Sequence, residues 1–489
     1  MNGIMIIGSM LLYFMVLRIY SRFATGNKSD NETFFRAGRK SPWYMVAFGM
    51  VGASISGVTF ISVPGMVNTI GMTYMQTCLG FIVGYVLVAF LLLPLYYKFN
   101  LTTIYSCLNQ RLGNGAYKTG ATFFLLSKMT GAAVRFYVVC IILQHYVLDN
   151  MHVPFIATVT VLVALIWLYT RDGGIKTLVW TDTFQTACMF TALALIIWHV
   201  INALGMNMGE AVNAIIADER SHWFEWDDMM SKQYFWKQFL SGIFIVIVMT
   251  GLDQDMMQKN LTCKSLRDAQ KDMCCYGLAF VPANLLFLCL GVLLSMLCQK
   301  EGLPLPAAGD ELLPMFAASG RLGDVVVVLF TIGIMAASFS SADSALTSMT
   351  TSYCVDLRNG ANDEKLRRRT HVMMAVIFGL IIICVQMMGA DSVIDTIYTI
   401  CSYTYGPLLG LFLYAYIMGK DHGEREKPLR NLKGSWVAML CVASPLICYV
   451  MNMLTRYLWN YSFGYELLMI NGAITYLGLL ILQYLPARR

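Results

Sequence analysis

Residues 334–348 read IMAASFSSADSALTS, a run of small and hydroxyl-bearing residues inside a strongly apolar stretch. On a helix, one face carries the residues at i, i+3, i+4, i+7, i+10 and i+11, which are Ala337, Ser340, Ser341, Ser344, Thr347 and Ser348, with Asp343 at its edge. Hydroxyl and carbonyl oxygens are hard, neutral ligands that can replace the water around a sodium ion. An isolated serine usually bonds to its own helix or to a neighbouring one, but this cluster with an aspartate favours a cation site.

The composition is that of a membrane protein. Of the 489 residues, 57% are hydrophobic and only 13% are charged, and the mean hydropathy is +0.60, unlike soluble domains. Apolar segments of spanning length predict an all-α polytopic membrane protein with about thirteen transmembrane helices. They lie near 3–20, 44–68, 74–96, 120–148, 154–170, 178–202, 236–252, 272–298, 323–354, 371–389, 395–418, 435–454 and 464–485.

Lysine and arginine are unevenly distributed between the segments, and the positive-inside rule assigns the rich connections to the cytoplasm. We therefore expect the N-terminus outside and the C-terminus inside, in a bacterial inner (plasma) membrane. The first segment lacks a signal peptide's charge pattern and should remain as an anchor. The net charge of +6 follows from the same rule, so no nucleic-acid partner is expected. The rich connections and tail are 18–43, 97–119, 171–177, 253–271, 355–370, 419–434 and 488–489.

Several function classes are disfavoured by missing motifs. The 14 cysteines form no CxxC pair and the six histidines no HExxH motif, so neither a zinc site nor a disulfide framework is indicated. No phosphate-binding GxxxxGK loop is present, and no cytosolic segment is long enough for an ATPase. The chain is therefore not expected to be an enzyme.

A second informative stretch lies in the segment 44–68. Residues 52–59 read GASISGVT, and Pro64 and Gly65 follow, so helix breakers and hydroxyls lie at mid-membrane depth. We expect a broken helix, whose freed carbonyls need a partner such as a cation or a substrate. A kink satisfied by neighbouring helices is the alternative.

Motifs along nearly the whole chain resemble the sodium:solute symporter family, whose members carry sugars, proline, sialic acid, iodide, vitamins or carboxylates together with sodium. Each motif is weak alone, but their order and spacing agree with the family. They are FFRAGR (34–39), TIY (103–105), RLG (111–113), GG (173–174), WTDTFQ (180–185), DQ (253–254), QKNL (258–261), the serine-rich segment 337–344 and GPLLGL (406–411).

The resemblance implies a transporter core of five plus five helices in inverted repeats, with a broken first core helix. Residues 1–43 would form an extra helix and a cytoplasmic linker. The implied repeats are 44–202 and 236–418, separated by an extracytoplasmic loop at 203–235, and 419–489 would add two peripheral helices.

The resemblance also implies a sodium site shared by family members, made of carbonyls of the broken helix and a carbonyl and two hydroxyls of the serine-rich helix. These positions are Gly52, Ile55, Ala337, Ser340 and Ser341.

Some members bind a second sodium ion, and the matching positions are Asp182, Ser340, Asp343 and Ser344. Those members carry serine where this chain has Asp343, which would either ligate the ion directly or pair with a cation. An ion pair between helices or an inward cap is the alternative role for Asp182.

The main indication of the substrate is Arg135, because a guanidinium in the middle of an apolar helix needs an anionic partner or a water-filled cavity. A bidentate grip on a carboxylate is its natural use, and pairing with Asp182 or with a carbonyl is the alternative. A sialic acid carrier of this family has an arginine at the corresponding place, and its broken-helix hydroxyls correspond to Ser54, Ser56 and Thr59.

The helix that follows departs from the family pattern. Sugar and sialic acid carriers place a polar amide or acid where this chain has Cys78, and Gln76 lies two residues away as a partial substitute. The gate positions of a sugar carrier fall near Val246, Met249 and Thr250, which disfavours a neutral hexose.

The sequence therefore predicts a symporter that imports a small organic solute with Na+ by alternating access, with sialic acid or another carboxylate as the preferred solute. A sugar, a polyol or an amino acid such as proline is the alternative. A channel or a membrane sensor on the same fold is the alternative of another class. The expected partners are sodium, the solute and the bilayer, without an obligatory protein partner.

Overall fold

The structure is a computed structural model that describes residues 3–25, 30–149, 152–388, 399, 401–418 and 433–484. These residues form helices and one isolated β-bridge, between Ser41 and Cys263. The helices up to residue 217 are α1 (Gly3–Thr25), α2 (Asn31–Arg36), α3 (Trp43–Ser54), α4 (Gly57–Ile70), α5 (Tyr74–Lys98), α6 (Ser106–Leu112), α7 (Asn114–Leu143), α8 (Phe155–Thr170), α9 (Ile175–Leu204) and α10 (Met208–Ala217). The later helices are α11 (Phe235–Gly251), α12 (Gln254–Asn260), α13 (Leu266–Glu301), α14 (Leu312–Ala317), α15 (Asp324–Leu357), α16 (Glu364–Met388), α17 (Gly406–Met418), α18 (Gly434–Trp459) and α19 (Leu467–Tyr484).

Among the described residues, eight helices are long and apolar enough to cross a membrane, or up to ten spans result if each of two bent pairs counts as one. The shorter or partly described apolar helices α1, α8 and α17 cover the remaining predicted segments. The predicted connection 419–434 and the beginning of the segment 395–418 fall mostly outside the described residues.

Small residues let the central helices approach each other closely. Helix α9 packs against both α3 and α15. Helix α11 lies along α5, where a Cβ atom on Gly80 would come 2.1 Å from the Phe239 carbonyl oxygen and one on Gly242 would come 2.3 Å from that of Thr77. Such glycine contacts are a common way to pack membrane helices, since lipid provides no hydrophobic force between them.

Two spans are broken. Helices α3 and α4 meet at 59°, and α11 and α12 meet at 69°. The first break lies at Ile55 and Ser56, whereas Pro64 lies inside α4. The second break was not predicted: the sequence prediction placed a connection at 253–271, but this region contains α12 and the start of α13. Charged residues directly after an apolar segment indicate a loop, and in α12 they are instead buried.

Candidate functional site

The first break exposes backbone carbonyls at the end of α3. Ile55 leaves the helical conformation with φ −78° and ψ 82°, so the last turn of α3 lacks its usual intrahelical partners. The Ala53 carbonyl accepts a hydrogen bond from Ser341 Oγ at 2.8 Å. In the part of the chain that the structure describes, no side chain donates to the carbonyl oxygens of Gly52 and Ile55.

The serine-rich helix α15 faces this break. Ser341 Oγ donates to the Ala53 carbonyl and lies 3.3 Å from the carbonyl of Ala337, one turn back. The neighbouring Ser340 points to a different helix and donates from Oγ to Asp182 Oδ1 at 2.8 Å. The residues predicted for the shared sodium site therefore lie along α3, the break and the adjacent turn of α15.

Gly52 also lies against α9. A Cβ atom at this position would come 1.9 Å from Thr186 Oγ1 and 3.1 Å from the Thr186 Cα atom. Thr186 Oγ1 is itself held, because it donates to the Asp182 carbonyl at 2.6 Å. A side chain at position 52 would therefore push α3 away from α9.

A cavity of about 110 Å³ adjoins the break. Four of the six predicted substrate residues line it: Ser54, Ser56, Thr59 and Arg135. The polar residues of its wall are Ser54, Ser56, Thr59, Tyr85, Lys128, Arg135, Thr250, Asp253, Asp255, Tyr276 and Ser341, and the rest of the wall is apolar or aromatic.

Gln76 and Cys78 do not line this cavity. Gln76 donates from Nε2 to the Gln233 carbonyl at 2.9 Å and accepts from the Glu225 N–H at 3.1 Å, both in the region after α10. Cys78 is buried among apolar residues. The segment at 74–78 therefore anchors the 203–235 loop and the residues beside it.

Arg135 and Lys128 lie two turns apart on α7 and both line the cavity. Lys128 Nζ is 2.6 Å from Asp255 Oδ2 and 3.2 Å from Asp253 Oδ2. The Tyr405 hydroxyl also donates to Asp253, at 2.6 Å. Arg135 is only partly buried, and among the described residues no carboxylate forms an ion pair with its guanidinium.

Asp182, one of the residues predicted for a second sodium ion, is ion-paired. Lys259 Nζ is 2.7 Å from Asp182 Oδ2, and the two side chains are 2% and 1% exposed. Asp343 accepts from the Tyr169 hydroxyl at 2.6 Å and from Ser344 Oγ at 3.2 Å. The alternative role considered for Asp182, an ion pair between helices, is thus present, but its partner is Lys259 rather than Arg135.

Sequence reasoning missed the charged residues of the second break, Asp253, Asp255 and Lys259. Two signals for them were present. Lys128 lies within an apolar segment and therefore needs a carboxylate. The motifs DQ and QKNL indicate the family, while the positive-inside rule counts Lys259 with the cytoplasmic charges. The buried position of Lys259 removes it from that count.

Residues 34–420 match the sodium:solute symporter family, and the chain belongs to this family. It is 22% identical over 420 residues to the human sodium/iodide cotransporter, an alignment that covers 83% of this chain and 64% of the relative. It is 24% identical to sodium-coupled monocarboxylate transporter 1 of Xenopus laevis, with 82% and 66% covered. The sodium/sialic acid symporter NanT of Aliivibrio fischeri is also 24% identical, with 82% and 79% covered. The chain thus spans slightly under two thirds of the first two relatives.

Solved structures confirm the predicted fold class. A Na+-coupled sialic acid symporter in a substrate-bound, outward-open state superposes with a TM-score of 0.82 at 17% identity, over 98% of this chain and 97% of the other. The nucleobase-cation-symport-1 transporter Mhp1 gives a TM-score of 0.60 at 14% identity, over 94% and 96%. At these identities the likeness shows the fold alone. Family membership places the chain among transporters, as predicted, and not among enzymes.

Proposed function

We propose that the chain is a sodium-coupled symporter that imports a small organic anion by alternating access. The observation that carries this proposal is the contact of Ser341 with the Ala53 carbonyl, beside two break carbonyls that receive no side-chain donor in the described residues. We also propose the predicted halves 44–202 and 236–418, and an orientation with the N-terminus outside in a bacterial inner membrane.

Sodium would bind at Gly52, Ile55, Ala337, Ser340 and Ser341. The carbonyls of an unwound membrane segment are suitable ligands for sodium. Ser340 and Ser341 each donate their hydroxyl hydrogen elsewhere, and a hydroxyl that donates keeps its oxygen lone pairs for a cation. Both serines can therefore ligate sodium without losing their present hydrogen bonds.

Sodium at this place would couple to the solute through the break. It would hold α3 against α15. Ser54, Ser56 and Ser341, which lie where the break and α15 meet, also line the cavity. A solute in the cavity and an ion at the break would then stabilise the same arrangement of helices. One ion that enters along the membrane potential contributes about 2.3 kcal/mol per 100 mV.

Arg135 is the proposed anchor for the carboxylate of the solute. It lines the cavity without a carboxylate partner in the described residues, whereas Lys128 is occupied by Asp253 and Asp255. A guanidinium binds a carboxylate through two parallel hydrogen bonds. Sialic acid is the preferred solute, and monocarboxylates form the next class.

The hydroxyls of the break complete the proposed solute site. Ser54, Ser56 and Thr59 line the same cavity and can bond to hydroxyl or amide groups of the solute. Because Gln76 and Cys78 lie outside the cavity wall, we assign the solute contacts to the other residues.

One observation favours a second class of solute, an amino acid. Asp255 lines the cavity, and its Oδ1 atom is buried without a hydrogen-bond partner among the described residues. A protonated amine of the solute would supply that partner, while its carboxylate binds Arg135. A zwitterionic solute would then span the two charged parts of the wall.

The test is uptake into proteoliposomes with and without an inward sodium gradient, for radiolabelled sialic acid, lactate and proline in parallel. Ser341→Ala should abolish sodium-driven uptake, and Arg135→Ala should abolish uptake of the carboxylates. Ser348→Ala is the matched control, since the one hydrogen bond of Ser348 Oγ among the described residues stays within α15, to the Ala345 carbonyl. Absence of sodium-driven uptake for all three solutes, together with no stabilisation of the protein by sodium, would reject symport in favour of a sensor or channel.

A further inference from the structure

The ion pair of Asp182 and Lys259 lies among the residues that the family resemblance assigns to a second sodium ion. We propose that the Lys259 ammonium is a built-in cation that takes the place of that ion, so that the chain binds one sodium ion in each transport cycle. This inference rests on the proposed sodium symport.

The geometry leaves the second site without a free carboxylate. The ammonium is 2.7 Å from Asp182 Oδ2, a distance at which no metal ion fits between the two. The other carboxylate oxygen, Oδ1, accepts from Ser340. Asp343 is engaged by Tyr169 and Ser344. Both carboxylates predicted for a second sodium ion are therefore already paired, Asp182 with an ammonium and Asp343 with two hydroxyls.

The charges explain why a cation is needed at this position. Asp182 and Asp343 are both buried, and their negative charges repel each other. The positive charge of Lys259 attracts both. Two buried carboxylates without a cation are strongly unfavourable. A bound sodium ion would relieve this repulsion only while it stays bound, whereas a lysine does so in every state of the protein.

Lysine 259 is also held in place through its neighbours on α12. The Gln258 amide donates to the Phe35 carbonyl at 2.9 Å and to Thr351 Oγ1 at 3.0 Å, and the Asn260 amide donates to Asp272 Oδ2 at 2.6 Å. These contacts attach α12 to three other parts of the protein. The ammonium is thus fixed at the carboxylate and cannot dissociate into the solution as an ion would.

The experiment counts bound sodium ions by equilibrium binding of radioactive sodium to the purified full chain in detergent. The native chain should bind one ion. Lys259→Ala frees Asp182 and leaves space for an ion, so it should bind two. The control is Lys264→Ala, which changes an exposed lysine four residues after the end of α12. This variant should bind one ion, as the native chain does.

Two ions on the native chain, or one ion on a folded Lys259→Ala variant, would overturn the inference. If Lys259→Ala does not fold, the double variant Asp182→Asn with Lys259→Met removes both charges at once. It should keep the single site with its affinity unchanged within about threefold, and loss of that site would overturn the inference. No bound ion on the native chain would instead reject sodium symport, and the inference would fall with it.

Discussion

The two broken spans differ in how their freed backbone carbonyls find hydrogen-bond donors. Each break frees backbone carbonyls inside the membrane, where an unpaired polar group is costly. At the second break, the carbonyls of Gly251 and Leu252 accept hydrogen bonds from the hydroxyls of Tyr96 and Tyr105 at 2.9 and 2.8 Å. At the first break, the described residues supply one side-chain donor, Ser341.

The two breaks also differ in the charged residues that they contain. Residues 43–70, which contain α3, the first break and α4, include no Asp, Glu, Lys or Arg. The second break carries Asp253 and Asp255 with Lys128 as their cation, and Lys259 follows on α12. The second break is thus completed by the protein itself, whereas the first is neutral and is the place where we propose that an external cation binds.

The largest expected effect comes from removing the cation of the second break. Lys128→Met would leave Asp253 and Asp255 buried without a positive partner, which typically costs about 3–5 kcal/mol. We expect a large fall in the Tm of the purified protein, of equal size with and without sodium. Lys118→Met, on the same helix but without an ion-pair partner among the described residues, is the control. A variant that keeps its Tm but loses sodium binding would show that the second break, too, depends on sodium.

A methyl group added at each break should change sodium affinity at the first break only. Gly52→Ala places a Cβ atom 1.9 Å from Thr186 Oγ1, and overpacking of this kind costs about 1–3 kcal/mol. Because α3 must shift, sodium affinity should fall at least tenfold. At Gly251 the added Cβ atom would meet two side chains of α5, Leu92 Cδ1 at 2.6 Å and Val88 Cγ2 at 2.9 Å, so any shift falls on α5 and not on the first break.

Gly251→Ala should therefore leave sodium affinity unchanged. Isothermal titration of both variants with sodium checks the pair, and equal losses would remove the distinction between the breaks.

The smallest expected effect is the loss of one tyrosine hydroxyl. Tyr105→Phe leaves the Leu252 carbonyl without its donor, at a cost of about 1–2 kcal/mol. Thermal unfolding should show this loss while sodium affinity stays the same, and Tyr44→Phe on the exposed surface serves as control. If Tyr105→Phe creates a sodium dependence of stability, an ion would be able to replace the hydroxyl, which would strengthen the parallel between the breaks.

The sequence contained enough information for the helices, the first break and the serine-rich face. Glycines and hydroxyls within residues 52–59 conflict with a continuous apolar helix, so the break is visible locally. Arg135 was recognisable for the same reason, as a charge inside an apolar segment. These features depend on residues close together in the chain.

The second break and the two lysine ion pairs could not be predicted in this way. Lys128 meets Asp253 and Asp255 across about 125 residues of sequence, and Asp182 meets Lys259 across 77. Pairing over such distances is set by how the helices pack. The place of Gln76 was missed for a similar reason, since its partners lie in the region after α10.

The most direct test is hydrogen exchange of the two breaks, measured by mass spectrometry on the protein in nanodiscs with sodium or with choline as the cation. Peptides that cover residues 50–60 should become more protected in sodium, whereas peptides that cover residues 249–260 should exchange equally in both. Equal exchange of residues 50–60 in the two conditions, or sodium-dependent protection of both breaks, would contradict the account.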